Sequence, residues 1–595
     1  MFSQKAHTCL MSPFRTCQAE HGKGRIRPAP CRLWLNIFLG LLLVLLCGSR
    51  ELGAQSSTEA PSEHKLRELA QEQHWQEIVG LLERVRPRSA DFDFYYGTAL
   101  ARLGRWHEAE MAFQSGLRRA PRDPRFPVEL AGVAFKQKQY AVAARRLRQA
   151  LKLEPRDPYA TDFLATIYFL QGNLDGALKY WNRVDKPLLA EVKMDPEPQV
   201  SARLLDRAFV FSPASLLERS EFATTDARIR SLGIFPRYQL DLRARQDDKF
   251  DVWFRNEERN GFGSTKWEGL FRLLRGLPFL TIHPEYYNLG HSATNVVSLF
   301  RWDPQKRRVF AELSTPFEHS AKYRYQLTAD LRNENWEILN PAPLSLPIAS
   351  LNLRREVLGF SLASYASSRW QWSMGAEFSH RDFRNVLAGT ALTPAFLTQG
   401  YQLKQRAEVK TTLWSMPEGR FVGEAKLSSQ AARLWSKPIA TSEKLQGSLG
   451  WHWFPCSTGD DYEMQQQIRA GKTFGSVPFD ELFMLGLERD NDLPMRAHIG
   501  THDGRKGSAP LGRNYFLATW EADKNLYGNG IVGLKIGPFL DTGKITDPVA
   551  SLGSEQWLWD TGAQIKLRVF GSGVAFSYGR DLRSGKNAFY LTLLP

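Results

Sequence analysis

From about Gly261 to Pro595, short runs of alternating apolar and polar residues follow one another, and that pattern leaves few folds open. In "IVGLKIGPFLDTG", Val532, Leu534, Ile536 and Leu540 fall on one face, and Gly533, Lys535, Gly537 and Asp541 on the other. In "WLWDTGAQIKLRVFG", Trp557, Trp559, Ala563, Ile565, Leu567 and Val569 share a face, opposite Asp560, Gln564, Lys566 and Arg568. Alternation with period two makes each run a strand. An apolar face of this extent, with aromatics near the strand ends and charges opposite, suits a barrel in a bilayer. In lipid only closure satisfies every backbone group of a sheet. A soluble sandwich also alternates, but it would bury the apolar face. At about twenty-one residues per strand and connection, this region predicts an antiparallel transmembrane β-barrel of about sixteen strands over residues 259–595.

The N-terminal residues 1–54 read as a secretory signal peptide. Arg25, Arg27 and Arg32 precede the apolar core "LWLNIFLGLLLVLLC", and small residues follow up to Ala54. This leader holds seven Lys/Arg and two Asp/Glu, so +5 of the formal net charge of +15 belongs to it. The remaining +10 suits contact with anionic membrane lipid or lipopolysaccharide, and equally an ordinary basic surface, and no dense basic run points to nucleic acid. Four of the five cysteines lie in the leader and Cys456 stands alone, which excludes an intrachain disulfide in the rest. His498 and His502 have metal-ligand spacing for a helix, but Gly500 between them makes the segment a loop, and no metal is expected.

Residues 55–186 repeat. Ala109, Ala143 and Ala177 are 34 residues apart, as are Pro121 and Pro155; Gly104, Lys138 and Gly172 keep the same step, as do Trp106, Tyr140 and Leu174. This is the period of tetratricopeptide repeats: small residues where paired helices touch, aromatics in the groove, and proline ending the second helix. The segment from His74 to Val85 reads as a degenerate capping unit. Such an all-α array presents a concave surface for a protein or peptide.

Residues 187–258 read as a small α+β domain. Lys186–Val200 is expected to be a linker, "ARLLDRAFVF" a strand, "SPASLLERSEFATTDARIRSLG" one or two helices, and "IFPRYQLDLRAR" and "KFDVWFRNEER" two strands. This order resembles a POTRA domain, the periplasmic module of outer-membrane assembly proteins.

The C-terminal third resembles the BamA/TamA outer-membrane assembly superfamily. "LFMLGLERDNDLPMRAHIG" is similar to the motif of its sixth outer loop, "GPFLDTG" to its Phe-x-Asp-x-Gly motif, and the stretch from Trp557 to Pro595 to its last three strands. The resemblance implies that the loop folds into the lumen and that Arg496 pairs with Asp541 as a latch. Ala497 stands where that family usually has glycine, His498 where it has an aromatic residue, and Leu487 follows Gly486 where a second glycine is usual. Phe589, Leu591 and Leu593 of the last run face outward, like the C-terminal strand that insertion machinery recognises, although the chain ends in Leu594-Pro595.

No enzyme motif emerges. "GTHDGRKGS" lacks the spacing of a phosphate loop, and no Gly-x-Ser-x-Gly stretch is present. Neither catalysis nor a cofactor is expected. The resemblance implies a Gram-negative outer-membrane protein that inserts or translocates polypeptides, with the repeats and the POTRA-like domain in the periplasm recruiting a client polypeptide or partner protein. Alternatives are an exopolysaccharide export conduit, a translocator like the surface lipoprotein assembly modulators, and a passive porin or receptor.

Overall fold

The structure, a computed structural model, describes residues 62–595 apart from 340–346, 389, 391, 456–460, 530, 547–551, 555, 571 and 595. The signal-peptide reading and Cys456 lie outside the described residues. The chain divides into two compact units, Met1–Pro155 and Arg156–Pro595.

The first unit contains helices α1 (Glu63–Gln71), α2 (Trp75–Glu83), α3 (Ala90–Arg102), α4 (Trp106–Arg119), α5 (Arg125–Lys136) and α6 (Tyr140–Leu153). Two further helices, α7 (Pro158–Leu170) and α8 (Leu174–Trp181), open the second. The 34-residue step is now physical. Trp106, Tyr140 and Leu174 each begin the second helix of a pair. Ala109, Ala143 and Ala177 are fully buried within those helices. Pro121 and Pro155 fall just beyond the ends of α4 and α6. Gly104, Lys138 and Gly172 occupy the intervening turn with φ of 77°, 60° and 70°. That left-handed backbone costs an L side chain roughly 1 kcal/mol, which accounts for glycine at two of the three positions.

After α8 come β1 (Leu189–Asp195), α9 (Ala202–Ala208), α10 (Arg219–Leu232), β2 (Arg237–Ala244) and β3 (Phe250–Glu257). The sheet order is β1-β3-β2, with β1 parallel and β2 antiparallel to β3. Leu240 lies opposite Phe254 and Leu242 opposite Val252, and all four are buried. Two expectations are corrected here. The segment expected to be a linker contains strand β1, whose charged residues suit the outer edge of a sheet. "ARLLDRAFVF" is not a strand but begins as helix α9, because Leu204, Leu205 and Ala208 are brought to one face only by a helical turn. The order strand, helix, helix, strand, strand survives, one segment earlier than expected.

Helix α11 (Lys266–Leu274) leads into the barrel. Its strands are β4 (Thr281–Ile282), β5 (Glu285–Leu289), β6 (Thr294–Trp302), β7 (Lys306–Phe317), β8 (Ser320–Leu339), β9 (Pro347–Ser364), β10 (Trp370–Arg384), β11 (Gly400–Met416), β12 (Phe421–Trp435), β13 (Ala440–Trp453) and β14 (Tyr462–Gly475). Two-residue strands β15 (Phe483–Met484), β16 (Thr501–His502), β17 (Arg505–Lys506) and β18 (Leu511–Gly512) belong to the following loop. The wall resumes with β19 (Asn514–Gly528), β20 (Val532–Thr546), β21 (Leu558–Val569), β22 (Ser572–Asp581) and β23 (Asn587–Leu594). The sheet closes into a barrel of eighteen strand segments. Both β4 and β5 pair with β6 as pieces of one irregular strand, and β16 and β17 form a hairpin of the loop. Among the described residues the wall so counted has fifteen strands, close to the expected sixteen.

The barrel is inverted with respect to a soluble protein. Trp372, Met374, Phe378, Leu427, Leu449, Trp520, Ile565 and Phe576 are exposed on its outside. Charged groups such as Arg381, Lys404, Asp523, Asp541 and Asp560 are buried within. That exterior requires an apolar surrounding, so the barrel spans a membrane. Phe589, Leu591 and Leu593 of β23 lie opposite Tyr578, Phe576 and Val574 of β22, on this outer face.

Candidate functional site: a loop latched inside the barrel

Between β14 and β19 the chain inserts residues 476–513. The loop is apolar on two sides. Phe479, Leu482 and Met484 pack with Trp336, Leu351 and Phe383 of the wall. Leu485, Leu493 and Met495 pack with Leu517, Ile545 and Leu558. Within the loop β15 pairs with β18, and Lys506 of β17 pairs with Trp336 of β8, which fixes the loop to the wall through backbone bonds.

At its centre sits Arg496, 5% exposed. Its Nε donates to Asp541 Oδ2 at 2.8 Å, and a second guanidinium nitrogen donates to the other carboxylate oxygen. A third nitrogen donates to Glu521 at 2.6 Å and to Gln564 at 3.0 Å. The guanidinium lies over the Phe539 ring, 3.8 Å from its centroid. The sequence motif thus has a geometry: Phe539 supplies the face and Asp541 the fork. One residue on, the Ala497 N–H donates to Asp560 at 2.7 Å. His498 Nδ1 lies 3.1 Å from the same carboxylate, and its Nε2 is 3.9 Å from Asp581. Asp541 is aligned with Asp560, and Asp560 with Asp581, across three adjacent strands. The loop tripeptide Arg496-Ala497-His498 therefore lies along a ladder of three carboxylates, Arg496 on Asp541, Ala497 on Asp560, and His498 between Asp560 and Asp581. Such forked, charge-assisted bonds in a place shielded from water are among the strong ones.

The departures from the family motif are accommodated locally. Ala497 contributes its backbone N–H, for which any residue but proline serves. His498 adds a polar contact to Asp560. Gly486 and Leu487 lie where the loop doubles back, with the Leu487 N–H donating to the His498 carbonyl at 2.7 Å. His498, Asp560 and Asp581 each offer a ligand atom within 4.8 Å of the others, so these three could hold a cation. His502 does not join them: its carboxylate neighbours are Glu337 and Asp503.

Sequence reasoning missed the other half of the latch. Four acidic residues of the loop meet cations of the wall or of the loop itself. Asp480 accepts from Arg355 and Arg381, and Glu481 from Arg381 and Lys404. Glu488 accepts from Lys306. Asp490 accepts from Arg301, Arg308 and Lys506. Arginines and lysines at inward positions of β6, β7, β9, β10 and β11 were a usable signal, because a cationic lumen wall calls for an anionic filling.

The rim that carries the turns at 290–293, 318–319, 365–369 and 417–420 holds the α/β module. The Ser201 N–H donates to the His291 carbonyl at 2.7 Å, Arg207 to that of Glu318 at 3.1 Å, and Arg228 to that of Tyr365 at 3.3 Å. Helix α8 joins this contact: Lys179 and Tyr180 both bind Glu418, and Asn173 donates to the Pro417 carbonyl at 2.7 Å. Burial pushes the Glu418 carboxyl up, yet the Lys179 ammonium and the Tyr180 hydroxyl hold it below the usual carboxylate range.

Fold and site together define a membrane-spanning β-barrel whose lumen is occupied by its own loop and whose N-terminal part is a tetratricopeptide repeat array. The family model described as tetratricopeptide repeat matches residues 79–124 and 128–186. Among solved structures the chain is similar to BamA from Haemophilus ducreyi lacking POTRA domains 1–3, with 10% identity and a TM-score of 0.39 over 68% of this chain and 83% of that one. It is also similar to CdiB from Escherichia coli, with 13% identity and a TM-score of 0.44 over 69% of this chain and 75% of that one. No curated protein matches.

Proposed function

We propose that the protein is an outer-membrane insertion or polypeptide-translocation factor of a Gram-negative cell, of the BamA/TamA kind. The observation that carries this reading is Arg496, buried and forked onto Asp541 with Phe539 beneath it, holding a loop inside a barrel whose exterior is apolar. A latched loop suits a protein that handles chains at its wall and keeps its lumen sealed; an open conduit would have no use for one. In this reading residues 1–54 are removed as a signal peptide, and residues 55–258 stand in the periplasm. The repeats recruit a client polypeptide or a partner protein. The module at 187–258 serves as a POTRA-like domain, and the outer edge of β1 or β2 accepts an extended segment by strand addition. The apolar belt contacts lipid and lipopolysaccharide. Folding of the client in the membrane supplies the driving force, with no cofactor and no catalysis.

A conduit is the second reading, favoured by a cavity of about 600 Å³ inside the barrel lined by polar groups including Glu312, Arg406, Glu408, Lys426, Arg469 and Asp492. Ion conductance in planar bilayers separates the two. The expected outcome is small, flickering currents for the wild type and large, steady ones for Arg496→Ala. A large, steady wild-type pore that the substitution leaves unchanged overturns the latch and puts the conduit first.

A further inference from the structure

Fourteen antiparallel pairings connect β5, through β6 to β14 and β19 to β22, with β23. An even number of reversals means that β5 and β23 run in the same direction. An all-antiparallel wall then lacks one member between them, running the opposite way. Among the described residues no strand register joins β23 to β5 or β6, and the sheet order passes from β23 to the start of the wall through β4, which is two residues long.

Residues 261–280 run in the missing direction along that side. Gly261 and Tyr287 exchange both backbone hydrogen bonds at 3.0 and 2.7 Å, and farther along the His283 N–H donates to the Leu273 carbonyl at 3.0 Å. Most of this segment is not strand. Thr265 caps α11, its hydroxyl accepting from the Glu268 N–H at 3.1 Å.

Helix α11 is amphipathic with the wrong face outward for a protein in water. Glu268 and Arg272, one turn apart, are 1% and 8% exposed. Glu268 accepts from Arg259 at 2.7 Å. Arg272 donates to Glu285 at 2.6 Å and to the Tyr287 hydroxyl at 2.6 Å, and Arg275 donates to the other Glu285 oxygen at 2.8 Å. Both arginines also reach the Ser572 hydroxyl of β22 at 3.3 Å, which ties the helix to the far side of the gap. On the opposite face Trp267, Leu270 and Leu274 are 73%, 45% and 37% exposed, and Leu277 and Leu280 continue the apolar run. Lys266 at the N-terminal end is exposed, but a helix that buries Glu268 and Arg272 in its body and turns its large apolar side chains outward fits an apolar medium. The exposed side chains on either side, Tyr286 of β5 and Phe300 of β6, Phe576 of β22 and Phe589 of β23, belong to the apolar exterior of the barrel, so this face continues that belt.

We propose that α11 is a wall element that takes the slot of the first strand and turns Trp267, Leu270 and Leu274 to the acyl chains of the bilayer. The wall then consists of fifteen strands and one helix. A helix satisfies its own backbone hydrogen bonds, so the wall at this position is held by the Arg272, Arg275, Glu285 and Ser572 side chains and not by a ladder.

Nitroxide labels at Leu270→Cys and, separately, Leu274→Cys test it in the full chain with all five native cysteines replaced by serine, reconstituted in phosphatidylcholine vesicles. Collision rates with oxygen, which concentrates in the acyl region, and with a water-soluble nickel chelate are compared with two reference labels. One reference is Leu449→Cys on the outer face of β13, and the other is Asp503→Cys in an exposed turn. Both α11 labels are expected to match the Leu449 ratio, high for oxygen and low for nickel. Matching the Asp503 ratio would place the helix in water and overturn the proposal. Exclusion of both reagents would also overturn it, since a second copy or another part of the chain would then cover the face. A normal Leu449 ratio in a sample doubly labelled at Leu449 and Leu270 guards against misfolding.

Discussion

Arg496 and Gly579 show how single residues hold the loop. Removing the guanidinium leaves Asp541 buried without its partner, and breaking a buried pair costs about 3–5 kcal/mol. Gly579 of β22 acts by absence. A Cβ there would lie 2.4 Å from the Arg496 carbonyl oxygen and 3.0 Å from the Ala497 nitrogen, both backbone atoms that cannot rotate aside. Gly579→Ala is expected to push the tripeptide off its carboxylate ladder, at a cost of about 1–3 kcal/mol. Conductance then rises as for Arg496→Ala, while the β-sheet circular dichroism is unchanged. Wild-type flicker in Gly579→Ala would mean that the loop does not approach β22 so closely. The Arg496–Asp541 pair was legible in the sequence because alternation put Asp541 on the inner face and the family resemblance supplied the partner. The role of Gly579 was not, because a glycine in a strand carries no sign of what lies above it.

At the scale of elements, helix α5 carries a polar group at a cost. Burial pushes the half-buried Glu129 carboxyl up to about 7, against the pull of the Arg102 charge. A carboxyl whose folded pKa lies above its unfolded value binds its proton more tightly in the folded state. It therefore destabilises the helix increasingly as pH rises from about 4.5 through 7, and fully above that. Glu129→Gln should stabilise the repeat unit by about 1–3 kcal/mol at pH 8 and leave it unchanged at pH 4. Thermal melts followed by helical circular dichroism read this; an equal shift at both pH values would assign the effect to packing. Elements with strong periodicity, the repeat helices and strands such as β20 and β21, were legible. Helix α9 and strand β1 were not. A seven-residue helix has too few turns to show a period, and an edge strand as charged as "LAEVKMD" reads like a linker.

Across the whole C-terminal unit, α8 and the α/β module are joined to one rim of the barrel through side-chain hydrogen bonds between residues 111 to 244 positions apart, with Glu418 at the centre of the α8 contact. Its depressed pKa means that the Lys179–Glu418 link contributes fully at neutral pH and is lost as pH falls through the folded value. A double-mutant cycle with Lys179→Ala and Glu418→Ala is expected to give a coupling of about 1 kcal/mol at pH 7 that vanishes in acid. Strictly additive effects at pH 7 would mean that the two side chains do not bear on each other in solution. The four loop acids belong to this scale too. Nothing near Asp480 or Asp490 in the chain announces the arginines at 301, 308, 355 and 381 that bind them.

By itself the sequence determined the period-34 helical array, the alternating strands and the face each strand presents, because period and hydrophobicity are local properties that each segment carries. Only the tertiary structure decided which wall cations meet the loop acids, that β5 and β23 run the same way, and that a helix fills the place between them. Those depend on how many strands precede closure and in what direction each runs, and ring closure is a property of the whole chain that no single segment encodes.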